Sequence, residues 1–103
     1  MRMTAGDIAQ LQDKAVEAAE FLKLIANPQR LLILCHLAAE REMSVGQIAD
    51  ALELGQSALS QHLARLREDG VVATRREAQT VFYRIADKNV ARLLALLKDI
   101  YCP

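Results

Sequence analysis

The stretch from Ser44 to Gly70 constrains this chain more than any other. Ser44 followed three residues later by Gln47 has the form of a capping box, in which side chain and backbone satisfy each other at a helix start. It opens a short helix that turns Val45, Ile48, Ala49 and Leu52 inward. The segment Leu52-Glu53-Leu54-Gly55 breaks that spacing, and Gly55 is expected to supply the backbone angle of the turn. A second helix, Gln56 to Asp69, then buries Leu59, Leu63 and Leu66 and stops at Gly70, the favoured position just past a helix end.

Around this pair the chain reads as helices and one hairpin. Ile8, Leu11, Ala15, Ala18 and Leu22 recur at helical spacing, giving an amphipathic helix that runs to about Ala26. Asn27-Pro28 places a cap before a proline at the first helical position. The helix that follows, to about Ala39, is apolar on nearly all sides and is expected at the centre of the domain. Val71 to Arg76 and Thr80 to Ile85 read as two strands joined around Glu77-Ala78-Gln79. Asp87 caps a last helix with Val90, Leu93, Leu94, Leu97, Ile100 and Tyr101 in one stripe. The order is α-α-α-α-β-β-α: a mainly α, winged helix-turn-helix layout over residues 1–103, expected to be one domain.

Composition bears on assembly and on partners. A chain of 103 residues buries apolar surface poorly by itself, yet 52% of this one is hydrophobic, with two Phe, two Tyr and no Trp. That aliphatic excess predicts a homodimer. The formal net charge is zero, but its distribution is uneven. The first half is net acidic, whereas Arg65, Arg67, Arg75, Arg76 and Arg84 outnumber Glu68, Asp69 and Glu77 in the segment after it. Because charges are screened over about 10 Å, such a local basic segment can still neutralise phosphates.

Double-stranded operator DNA is the partner this pattern predicts. The polar face of the second helix of the pair carries Gln56, Ser57, Ser60, Gln61, His62 and Arg65, and glutamine can read an adenine edge with two hydrogen bonds. Arg75 and Arg76 flank the hairpin tip, where arginine reaches phosphates or a narrow minor groove. They alternate in direction along the strand, so only one is expected to contact DNA strongly. The plainer reading of each residue is a solvated face. The face as a whole, lying beside an arginine-bearing hairpin, favours DNA.

Other classes fit less well. The longest apolar stretch, Leu31 to Cys35, is too short to span a bilayer, and the N-terminus lacks the layout of an export signal, so a cytoplasmic protein without membrane contact is expected. The two cysteines form no CxxC pair and no zinc-finger spacing, and no candidate base lies near either, which argues against a redox enzyme. No cofactor is implied.

The stretch Ser57-Ala58-Leu59-Ser60-Gln61-His62-Leu63-Ala64-Arg65-Leu66-Arg67-Glu68-Asp69-Gly70-Val71-Val72 resembles the signature of the ArsR/SmtB repressors. Asn27-Pro28-Gln29-Arg30-Leu31 and Val81-Phe82-Tyr83-Arg84-Ile85 are similar to that family's second helix and wing. The resemblance implies a dimer joined through the first and last helices and an effector that changes operator affinity. It does not imply a metal here. Residues 40–55 hold no cysteine or histidine, residues 86–103 hold no histidine, and adjacent Cys35 and His36 point about 100° apart on a helix.

Cys35 on the second helix and Cys102 at the end of the last look like the thiol-sensing branch of the family, which includes the sulfide-responsive biofilm-growth repressors. That likeness implies release of the operator when persulfide or other reactive sulfur modifies or bridges the two thiols. A peroxide, an electrophile or a metal ion as effector remains the alternative. For Cys35 alone the plain reading is a buried packing residue.

Overall fold

The computed structural model describes residues 1–103. The elements are α1 (Ala5–Ile25), α2 (Pro28–Glu40), β1 (Met43–Ser44), α3 (Val45–Leu52), α4 (Gln56–Glu68), β2 (Val72–Glu77), β3 (Thr80–Ile85) and α5 (Lys88–Tyr101). The helical order and the hairpin follow the sequence reading. The strand β1 does not appear in it.

Local chemistry sets most helix ends. Asn27 Oδ1 accepts from the backbone N–H groups of Gln29 and Arg30 at 3.0 and 3.1 Å. The Ser44–Gln47 box closes both ways, at 2.9 and 3.2 Å. Thr4 and Asp7 form a second box at the start of α1, and Asp87 caps α5 through the Asn89 N–H at 2.8 Å. At the end of α4, Gly70 takes φ 74°. Its N–H reaches the Arg67 carbonyl and that of Val71 reaches Leu66, the paired bonds of a Schellman stop.

The turn between α3 and α4 differs from expectation. The left-handed residue is Glu53, at φ 54° and ψ 39°, whereas Gly55 is extended at φ −65° and ψ 149°. Any L residue adopts that conformation, so the turn does not use the freedom of Gly55. Gly55 serves as the N-cap of α4, without a side chain to do the capping.

The core is a cluster of 14 buried residues, all apolar. Ile33, Leu34 and Leu37 of α2 lie at its centre, with Ile48, Leu59, Leu63 and Leu66 from α3 and α4, and Val71, Val72, Val90 and Leu94 beyond them. Helix α2 touches α1, α3, α4, α5 and β3, as its all-round apolar sequence predicts. Each such side chain contributes about 1.5–3 kcal/mol on burial.

The sheet is antiparallel with order β1-β3-β2. Two residues of β1 pair with Tyr83 and Phe82, while β2 and β3 pair along their full length from Val72↔Ile85 to Glu77↔Thr80. That leaves Ala78-Gln79 as a two-residue tip, with Ala78 at φ 54°, the sign a tight hairpin requires.

The ends of the chain are much less covered. Only Leu24 and Ile25 of α1 are buried. Apart from Met1 and Met3, every large apolar side chain left exposed lies on α1, α2 or α5. The radius of gyration is 15.5 Å, above the ~13 Å of a compact 100-residue chain. No helix is long and apolar enough to cross a membrane.

Candidate nucleic-acid interface and thiol pair

Helix α4 is held from behind. Leu59, Leu63 and Leu66 anchor it in the core, and at about 100° per residue Ser57 and Gln61 fall on the opposite side. Gln56, Ser57, Ser60 and Gln61 are all exposed, so the face that the sequence marks as polar does meet solvent. His62 is half-buried on one flank. Arg65, on that same flank, is exposed but ion-paired with Asp69 at 3.0 Å. Ser60 lies on the other flank, where Val45, Ala64, Arg67 and Tyr83 line an open groove between α4 and the sheet. Arg67 was not among the expected contacts. Its position seven residues after Ser60 puts it on the same side, which is the signal that could have found it.

The two wing arginines have separate surroundings. Arg75 donates to both carboxylate oxygens of Glu42, at 2.7 and 2.8 Å, and to Glu77 at 3.0 Å. Its guanidinium also lies 4.6 Å from the centroid of the Phe82 ring. The Arg75 fork holds the Glu42 carboxyl below the usual carboxylate range. Arg76 is exposed and makes no salt bridge.

The cysteines depart from one expectation and meet another. Although α2 is the central helix, Cys35 sits on its uncovered side with Leu32 and is exposed, so it is not a buried packing residue. Cys102, the C-cap of α5, is exposed as well. Although the residue is exposed, its sulfur is partly shielded from water, which pushes the Cys35 thiol above its ordinary value, and a negative charge on Cys102 pushes it further. The fold thus places two exposed thiols, 67 positions apart in the sequence, near enough for the charge of one to bear on the other. Nowhere do three or more His, Cys, Asp or Glu side chains gather as metal ligands.

Residues 27–74, which span α2, the helix pair and the start of β2, match the profile of the bacterial regulatory proteins of the arsR family. The chain is 48% identical over 96 residues to the transcriptional activator HlyU of Vibrio cholerae, covering 93% of this chain and 88% of that one. This chain belongs to the arsR family. It is 46% identical over 92 residues to the biofilm growth-associated repressor of Agrobacterium fabrum, covering 89% of this chain and 78% of the relative. The crystal structure of the transcriptional repressor BigR from Xylella fastidiosa superposes with a TM-score of 0.84 at 40% identity, covering 98% and 99% of the two chains. As an arsR-family protein the chain is a DNA-binding transcriptional regulator with a winged-helix fold, and not an enzyme. Its relatives include proteins named as an activator and as repressors.

Proposed function

We propose that this arsR-family protein is a homodimeric repressor that holds operator DNA when Cys35 and Cys102 are reduced and releases it when reactive sulfur modifies or joins them. The observation that carries this reading is that α5 packs on α2 and that both helices carry an exposed free thiol, Cys35 on one and Cys102 at the end of the other, the charge of Cys102 bearing on Cys35. Repression is the activity named for the Agrobacterium and Xylella relatives.

The reading part is α4. Gln56, Ser57, Ser60 and Gln61 face the major groove, with His62 and Arg65 at its edge, while the wing reaches the backbone. A dimer formed through the apolar stripes of α1 and α5 spaces two such helices about 34–36 Å apart, one turn of DNA.

The chemistry needs only a persulfide as oxidant. A Cys102 thiolate attacks the outer sulfur of a small-molecule persulfide and expels the parent thiolate, which leaves Cys102 as a persulfide. The Cys35 thiolate then attacks the Cys102 sulfur and displaces hydrosulfide, so two thiols are oxidised and one sulfane sulfur is reduced. Where a second persulfide converts Cys35 as well, with loss of a second parent thiolate, the outer sulfur of the Cys102 persulfide attacks the Cys35 sulfur and expels hydrosulfide. The one sulfane sulfur kept in the bridge lengthens it and relaxes the 4.4–6.8 Å Cα separation that a plain disulfide demands. Because α2 packs on both α3 and α4, tying α5 to α2 shifts the reading helices relative to the dimer seam. A tenfold loss of affinity takes only about 1.4 kcal/mol.

Intact-protein mass spectrometry after treatment with a persulfide donor, with hydrogen peroxide and with an alkylating electrophile tests the effector. A Cys35–Cys102 bridge is expected with persulfide, with Cys102 modified first. If only peroxide or the electrophile modifies the pair, the effector belongs to that class instead. On the DNA side, Ser57→Ala with Gln61→Ala should relax sequence preference. Unchanged preference after replacing all four of Gln56, Ser57, Ser60 and Gln61 with alanine contradicts the reading face.

A further inference from the structure

The register of the three strands sorts the wing residues onto two faces. Ser44 pairs with Phe82 and Phe82 with Arg75, so these three share one face, joined two positions along by Glu77 and Arg84. Met43, Tyr83 and Thr74 share the other, joined by Val72, Ile85, Val81 and Arg76. The second face is the packed one, since Met43 and Val72 are buried and Tyr83 and Ile85 lie against the core. Arg76 therefore extends the face that looks toward α4, past the end of the core. Arg75 stands on the opposite face, its back to the reading helix.

Arg75 also donates three of its five N–H groups to carboxylates there. It reaches across Phe82 of β3 to grip Glu42, which immediately precedes β1, with two parallel hydrogen bonds. Glu77 takes a third N–H. Single surface ion pairs contribute little, but a two-pronged arginine–carboxylate contact inside a small network is the exception. Its position matters further. β1 ends at Ser44 opposite Phe82, so the hairpin beyond the Arg75↔Phe82 pair is a bare two-stranded ribbon, which is marginal in water. The Glu42–Arg75 contact is the last tether before that free end.

We propose that Arg75 is an anchor and not a DNA contact: Glu42 positions the wing by gripping Arg75 across the sheet, and Arg76 is the cation the wing offers to DNA. This rests on the reading of the chain as an operator-binding regulator in which the wing docks. Arginine is required at an anchor of this kind because lysine lacks the planar fork, whereas lysine still binds a phosphate as a point charge.

The test uses the full-length reduced protein and a duplex selected from a random library by the wild type, titrated over a range of salt. Arg75→Lys is expected to weaken binding roughly three- to tenfold, with Glu42→Gln giving the same loss and the double variant no more than either. The salt dependence should stay that of wild type in all three. Arg76→Ala should instead lower the salt slope by about 2 per dimer, each lost phosphate contact being worth about 0.9. Amide exchange of residues 76–81 in the free protein should quicken in Glu42→Gln and Arg75→Lys but not in Arg76→Ala. The proposal is overturned if Glu42→Gln tightens binding, or if Arg75→Lys binds as wild type while Arg75→Ala lowers the salt slope. Either result makes Arg75 a phosphate contact that Glu42 restrains. If the wing amides quicken while no wing variant alters binding, the tether is real but the docked wing is not. The proposal then falls with that reading, while the Ser57 and Gln61 variants still report on α4 separately.

Discussion

Helices α3 and α4 and the terminal helices α1 and α5 carry similar aliphatic stripes, yet those stripes meet different fates. Ile48, Leu59, Leu63 and Leu66 are at most 1% exposed, so the helix pair is finished within the chain. Ile8, Leu11 and Leu22 on α1, and Leu96 and Ile100 on α5, are about half exposed, between 46% and 56%. A uniform aliphatic composition therefore hides a division of labour. The helix pair is completed by its own core, whereas the terminal helices leave an apolar surface uncovered, the surface the proposed dimer would bury. Cys102 lies at the end of α5, and Cys35 lies on the one uncovered side of α2, so both sulfurs sit outside the buried core.

The largest effects should come from the core itself. Leu34 and Leu32 lie on one helix, the first fully buried and the second 47% exposed. Leu34→Ala should lose about 2–5 kcal/mol in denaturant titration, whereas Leu32→Ala should leave the core intact. Equal losses at the two positions would mean that α2 has no uncovered side. Next, aspartates at Leu11 and Leu97 together should turn a micromolar dimer into monomers or unfolded chains in sedimentation, with Leu11 chosen for its exposure on α1. A well-behaved monomeric wild type contradicts the terminal half of the account.

A subtler effect sharpens the placement of the thiols. Burial and the neighbouring Cys102 both raise the Cys35 thiol above its ordinary value, so at neutral pH it is held as the unreactive thiol. Its alkylation rate should keep rising with pH beyond the point where a free cysteine levels off. Cys102→Ser removes one of the two causes and should shift that rise to lower pH. No shift would place the thiols too far apart to act together. The smallest effect belongs to the turn. Gly55 has an ordinary φ and nothing within 4 Å of an added Cβ, so Gly55→Ser should raise stability by about 0.5–1 kcal/mol.

What the sequence reveals and what it hides follow from range. Asn27-Pro28, the Ser44–Gln47 box and Gly70 act on neighbours within four residues, and each is legible directly. The polar face of α4 is legible too, because helical spacing alone separates Ser57 and Gln61 from the leucines. β1 is not. Two residues carry no period, and Met43-Ser44 becomes a strand only because the β3 edge is there to pair with it. Glu53 takes the left-handed turn position against the plain preference for glycine, since Gly55 falls two residues too late. The tie between Arg75 and Glu42 spans 33 residues, and the influence of Cys102 on Cys35 spans 67. Such long-range contacts exist only once the sheet and the ends of α2 and α5 are in place.

The most direct test of the account is the operator affinity of the reduced protein before and after a persulfide donor, measured for the wild type, Cys35→Ser and Cys102→Ser on one selected duplex. Equal affinity is expected for all three when reduced, and a loss of at least about tenfold for the wild type alone after treatment. If both serine variants release DNA as fully as the wild type, the two cysteines are not the sensor.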